Sequence, residues 1–340
     1  MYPLRMRTLL IAVLCAGCST SNDSAAPPAS PDVSAASDTV TADAPAAPSS
    51  SFSFPASVAI ALDKLQGSEK ADSGGGKYSL AITEGPGLTA EMQDVVDGVL
   101  GAFHAVAIPA STTTTALDAE VGFGETKLAV HFDFADFGGE GCSGHTAALP
   151  VCFRVWVSGE RFMAGRFDAL PTDASAGSGR LTLRKAAALP GGEQGTGITA
   201  SWTQAGTDRT LEIWWGVPSD DAKTFVAFRH ATVAAVGPDA TATKTLNLFD
   251  ELVSVPKPSS LRWVGRYRED QDLWTGLMEA TGFFIDMLGL ESFPAACASI
   301  ATGAEATGCD AAGLSIADVP SLTPAAAADV TLPEEFPAQP

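Results

Sequence analysis

The chain has 340 residues, with 20 basic against 40 acidic side chains and a formal net charge of −20. That surface repels phosphate backbones and anionic head groups, so nucleic-acid binding is disfavoured, while solubility alone accounts for the acidity without a dedicated cationic partner. At 46% hydrophobic residues the chain is able to build a sizeable core, and its length suits one large or two small domains once the ends are set aside.

Arg5 and Arg7 precede an apolar stretch from Leu9 to Cys15, and Leu14-Cys15-Ala16-Gly17 leads into Cys18. Basic, then apolar, then small is the order of an export signal, and the apolar part is too short to span a bilayer. Residues 1–17 are read as a signal peptide. The small residues before Cys18 resemble the lipobox of bacterial lipoproteins, in which signal peptidase II cuts before an acylated cysteine. The resemblance implies lipidation of Cys18, with the membrane as a partner through N-terminal acyl chains. Each buried methylene of such chains contributes about 0.8 kcal/mol. Ser19, rather than Asp, after the cysteine implies sorting to the outer membrane. The sequence departs from the family's pattern at Cys15, which stands where an aliphatic residue is usual. An ordinary cleaved secretory signal, with Cys18 incidental, is the alternative.

Residues 18–51 are read as the lipidated cysteine and a disordered tether. From Ser19 onward this segment is built almost wholly from Ala, Ser, Pro, Thr and Asp, without an aromatic residue, Lys or Arg. It buries too little apolar surface to offset its chain entropy, and as a random coil it spans about 30 Å. Residues 52–316 are expected to form a single β-rich domain, and 317–340, punctuated by five prolines, a disordered tail. No repeat of solenoid or propeller type is visible.

A helix is expected after Pro86-Gly87, with Thr89 as its cap and Glu91 favouring its N-terminal dipole. Met92, Val95, Val96, Val99, Phe103 and Val106 recur at three- and four-residue steps and define a core-facing stripe. The period then changes to two, and Leu128, Val130, Phe132 and Phe134 mark a half-buried strand. Val151 to Val157 and Arg161 to Phe167 form a hairpin about Ser158-Gly159-Glu160. Further strands are expected at 180–183, 198–203, 210–217, 224–236, 242–249 and 261–268. Their short connections favour antiparallel neighbours, since a parallel crossover needs a dozen or more residues. Asp272 to Leu290, rich in Leu, Met and Phe, is expected to be helical, although Gly276, Gly282 and Gly289 each cost about 1 kcal/mol in a helix and part of it is able to extend the sheet.

The six tryptophans, Trp156, Trp202, Trp214, Trp215, Trp263 and Trp274, fall in or beside these segments, as fillers of broad gaps. Arg262, Arg266 and Arg268 share one strand face; they are able to grip an anionic ligand, but cross-strand pairing with carboxylates is the simpler account. Four cysteines remain for the exported domain, and of three possible connectivities the two local pairs, Cys142 with Cys152 and Cys297 with Cys309, are expected.

Candidate chemistry is sparse. The spacing of Cys142, His145 and Cys152 matches no zinc pattern, and Gly141-Cys142-Ser143-Gly144-His145 lacks the G-x-S-x-G spacing of a nucleophile elbow. Ser73-Gly74-Gly75-Gly76-Lys77 lacks a Walker pattern, and His104, His131 and His230 show no paired spacing. No metal, cofactor or catalytic residue is therefore assigned, and no enzyme activity is expected. The expected fold is α+β: an antiparallel β meander, as a curved sheet or half-open barrel, with an amphipathic helix packed on one face. Its layout is loosely similar to the lipoprotein-carrier and lipid-binding half-barrels of bacterial envelopes. The expectation is a membrane-anchored cell-envelope lipoprotein acting as a non-catalytic structural or interaction module with an envelope protein as partner. A periplasmic or surface carrier of a lipid or other apolar ligand, held between sheet and helix, is the alternative.

Overall fold

A computed structural model describes residues 51–62, 85–109, 116–123, 126–134, 149–184, 197–218, 225–238, 242–252, 259–282, 285, 292–299, 302, 304–306, 309 and 311–319. In chain order these form β1 (Ser51–Phe52), helix α1 (Gly85–His104), β2 (Ile108–Pro109), β3 (Ala116–Phe123), β4 (Thr126–Asp133), β5 (Val151–Val157), β6 (Glu160–Ala169) and β7 (Ser178–Arg184). β8 (Gly197–Ala205), β9 (Asp208–Pro218), β10 (Phe225–Val236), β11 (Thr243–Leu252), β12 (Ser259–Arg268), β13 (Leu273–Ala280) and β14 (Ser292–Ser299) follow. Strands β3 to β14 make one 12-stranded sheet in strict chain order, every pair antiparallel, and the ladder does not close into a barrel. The α+β meander expected from the sequence is the observed fold.

Local chemistry explains the turns and termini. Ser158 and Gly159 both have positive φ, 50° and 83°, the pairing of a two-residue hairpin turn whose twist matches the strands it joins. Helix α1 starts at Gly85, with Pro86 in the first turn, where a missing N–H breaks no helical bond. Thr89 is therefore not the cap: it lies fully buried inside the helix, and its hydroxyl donates to the Gly85 carbonyl at 2.8 Å. The expected stripe holds, with Met92, Val96, Val99 and Phe103 buried against the sheet.

Residues 53–62 form no strand, yet they cross the same face of the sheet beside α1. Phe52, Phe54, Val58, Ile60 and Leu62 are buried. Phe54 sits among Phe103, Phe132, Phe153 and Phe167, with ring centroids 5.1–6.1 Å away. Backbone groups of this strap are held by side chains. The amides of Val58 and Ala59 donate to Asp97 Oδ1 at 2.9 and 3.2 Å, and that of Ile60 to Gln93 Oε1 at 2.7 Å. Its carbonyls accept from His104, from Lys244 Nζ at 3.0 Å and from the Tyr267 hydroxyl at 2.7 Å. Ser51, given above to the tether, already pairs with Pro109.

Residues 273–280 are strand, not helix: β13 pairs with β12 on one side and β14 on the other. Trp274, Met278 and Ala280 alternate onto the α1 face, while Leu277 faces a second, smaller cluster of Phe249, Val264, Val319, Leu314 and Ile316. Apolar residues on both faces erase the period-two signal and imitate a helix. The same cluster corrects the tail boundary, since 316–318 form a 3-10 turn and Val319 is buried at 2% exposure. Tryptophans do fill gaps: Trp263 and Trp274 stack with centroids 5.0 Å apart. A Cβ at Gly265 would overlap both rings, and one at Gly85 would overlap Trp263.

Cys297 and Cys309 form a disulfide, with Cα atoms 5.4 Å apart, that binds β14 to the following segment. Cys152 is also disulfide-bonded; Cys142, the partner expected for it, lies outside the described residues. Replacing Cys297 by Ser is expected to lower unfolding free energy by about 3 kcal/mol, from the loop it closes, as measured by urea denaturation. Phe54→Ala, which empties the centre of the aromatic cluster, is expected to cost about 3–5 kcal/mol in the same measurement.

Candidate functional site

Cys18, Ser143, His145 and the glycines 74–76 lie outside the described residues. The three described histidines do not converge. His104 Nδ1 meets the Phe54 carbonyl at 2.6 Å, His131 Nδ1 meets Asp118 at 2.7 Å, and His230 Nε2 meets Glu212 at 2.9 Å. Among the described residues no group of three His, Cys, Asp or Glu side chains is placed to hold a metal. Arg262, Arg266 and Arg268 lie half-buried on the face of β12 away from α1, and Arg262 stands opposite Glu279 in register, the cross-strand arrangement expected of it.

Two charged clusters escaped the sequence reading. On the α1 face, Arg229 reaches Glu91 of the helix at 3.4 Å and Asp250 of β11 at 3.5 Å, and its guanidinium lies 5.9 Å from the Trp215 ring. Arg229 and Asp250 are buried, and Arg229 Nε and Trp215 Nε1 are both enclosed without a hydrogen-bond partner. Removing one member of such a group strands the others, which costs more than the group contributes net. Alternation carried the signal: Arg229 shares parity with Ala231, Val233 and Ala235, the buried side of β10.

On the other face His230, also buried, stacks on Trp214 with centroids 3.6 Å apart and an interplanar angle of 11°. The hydrogen bond from His230 holds the Glu212 carboxyl below its ordinary value, against the opposing effect of partial burial; the charge of His230, a bond from Trp214 and the charge of Arg180 help. Both residues have the types used in acid–base chemistry, and His230 Nε2 is committed to the Glu212 carboxyl.

One large open groove lies at the end of the domain where residue 51 enters. It has a volume of about 1030 Å³ and is walled by the strap from Ser51 to Val58, the 171–176 connection, and the tips of β8 and β9. Its lining mixes hydroxyls with Trp202, Arg209, Asp173 and His104. Trp202 Nε1 donates to the Ala176 carbonyl at 3.0 Å, and Gln204 accepts from the Ala176 amide at 2.8 Å, so the 171–176 wall is fixed to β8.

These features define an α+β protein built on an open antiparallel meander, with a packed helix face and a polar rim groove. No family model, curated protein or solved structure matches the chain. Among the described residues no helix is long and apolar enough to cross a membrane.

Because the folded-state pKa of Glu212 is depressed, its contribution to stability is present above the unfolded value, near 4.5, and is lost as pH falls through the folded value. Glu212→Gln is expected to lower stability at pH 7 and to reduce the loss of stability on acidification below pH ~4.5. Urea midpoints at pH 7 and pH ~3.5 check this: the two proteins differ at the first and differ less at the second.

Proposed function

We propose that the protein is a membrane-anchored lipoprotein of the cell envelope, exported by residues 1–17 and held by acyl chains on Cys18, whose folded domain is a non-catalytic interaction module. The sequence Leu14-Cys15-Ala16-Gly17-Cys18 and the Ser/Ala/Pro composition up to Ser51 support the anchor and the tether. Ser19 supports sorting to the outer membrane.

The observation that carries the interaction reading is the state of the α1 face. A carrier of an apolar ligand needs room between helix and sheet, and Phe54, Phe103, Phe132, Phe153 and Phe167 occupy that position with no exposure. The space is filled by the chain's own side chains. Recognition then falls to the rim groove, which is open, mixed in polarity and placed beside the point where the tether joins. A polar groove of this kind suits an envelope protein better than a lipid.

Growth with labelled palmitate is expected to label the protein, and Cys18→Ser is expected to abolish the label and move the protein from the membrane to the soluble fraction. An unlabelled wild-type protein, or a Cys18→Ser protein that stays with the membrane, would remove the anchor from this proposal.

A further inference from the structure

We propose that the outer edge of β3 is a strand-addition site, and that its occupant is an extended, basic segment of another protein. The two ends of the sheet are finished differently. At β14 the chain folds back on itself: the Ser299 amide donates to the Ala304 carbonyl and the Ala306 amide to the Cys297 carbonyl, both at 2.9 Å, and Ala298 bridges Glu305. The Cys297–Cys309 disulfide ties that cover down. At the other end, among the described residues, β3 pairs with β4 alone.

The outer edge has a defined register. The Ala129 carbonyl of β4 accepts from the Ser158 amide at 2.8 Å, so Ala129 directs its main chain towards β5. Bonded and non-bonded pairs alternate in an antiparallel ladder, so Glu120, opposite Ala129, directs its own N–H and C=O away from β4, as do Ala116, Asp118 and Gly122. β3 has eight residues, no proline, and a register with β4 that runs from Ala116 to Phe123 without a bulge, so it lacks those means of blunting an edge. The flank is open as well: a Cβ at Gly122 would meet nothing within 4 Å.

Charge selects the occupant. Asp118 and Glu120 lie on one face of β3 with side chains 84% and 64% exposed. Their partners, His131 at 2.7 Å and Lys127 at 3.0 Å, both belong to β4, on the side away from the edge. On the other face Leu117 and Ala119 are only partly buried against the core. A strand added here sets its side chains within about 5.5 Å of these, alternating between the two faces. Basic residues then meet Asp118 and Glu120, and apolar residues between them extend the core face past Leu117 and Ala119. A second copy fails the same test, because β3 paired antiparallel with itself about Ala119 sets aspartate against glutamate, and the chain carries a net charge of −20. The carboxylates that keep copies apart thus favour a basic strand, and main-chain bonds with alternating side-chain contacts supply the rest.

Strand addition is read in the full-length chain with Cys18→Ser, using two terminally blocked, fluorescently labelled peptides of about eight residues, matched to the length of β3. One alternates valine with lysine, the other valine with glutamate. Fluorescence anisotropy is expected to show saturable binding of the lysine peptide and at least about tenfold weaker binding of the glutamate peptide. Asp118→Lys combined with Glu120→Lys is expected to reverse that order. Because the Glu120 amide points outward, Glu120→Pro deletes a donor of the edge and no bond of the β3–β4 ladder. It is expected to weaken the lysine peptide about fivefold more than Glu120→Gln, which removes the same charge and keeps the amide, with the urea midpoints of the two variants alike. Equal binding of the two peptides, or no saturation by the lysine peptide up to about 1 mM, overturns the proposal. So does binding that Glu120→Pro and Glu120→Gln weaken alike, since the contact is then charge without main chain. Self-association of the unsubstituted β3 in sedimentation velocity that Glu120→Pro abolishes would put a second copy on the edge, and overturns it equally. The inference rests on neither the rim groove, which no β3 residue lines, nor the lipid anchor, since the test is made without it.

Discussion

A sheet of twelve strands with a wide apolar face must cover that face, and the one α-helix among the described residues is too small to do so. Twelve strands at about 4.8 Å span nearly 60 Å, whereas 20 residues of helix reach about 30 Å. The strap makes up part of the difference. It lies beside α1, lends Phe54 to the centre of the aromatic cluster and reaches as far as β12 through Tyr267. Folding of the domain therefore depends on a segment that makes almost no ladder bonds of its own.

That dependence explains the polar groups on a core face. Lys244 and Tyr267 project from the sheet, Gln93 and Asp97 from the helix, and each meets a backbone group that the absence of a ladder would otherwise leave unpaired in the interior. Arg229 acts in the same layer, joining α1 to β10 and β11 through Glu91 and Asp250. A buried guanidinium between two carboxylates is a poor source of net stability but a strict setter of position, because any shift of the helix leaves a charge unpaired in low dielectric. The hydrophobic effect brings helix and strap to the sheet, and these polar contacts fix their register.

The functional reading follows from the same layer. Side chains that fill the interior leave the edge of the strap as one wall of an open groove, with the 171–176 connection as another wall. The strap thus links core and groove in a dozen residues.

Much of this was legible in the residues. Alternation in 128–134, the turn at Ser158-Gly159 and the short connections specified antiparallel neighbours, and the 3.6-residue stripe from Met92 to Phe103 specified a helix lying on them. β3 and β14 were not legible: one mixes Asp118 and Glu120 with small residues, the other is mostly Ala and Ser, and each is an edge strand supported from one side. β13 was misread because both of its faces are covered. For the candidate groove the sequence supplied components without an address, since Trp202, Arg209, Asp173 and His104 are brought together only by folding.

By itself, then, the sequence determined period and turn: where the chain alternates and where it reverses. Tertiary structure alone decided where one alternating segment would lie. Phe52, Phe54, Val58, Ile60 and Leu62 fall on alternate positions as in a strand, yet residues 53–62 join no ladder; they are inside because a wide apolar face needed covering and Asp97, Gln93, Lys244 and Tyr267 were placed to satisfy their backbone.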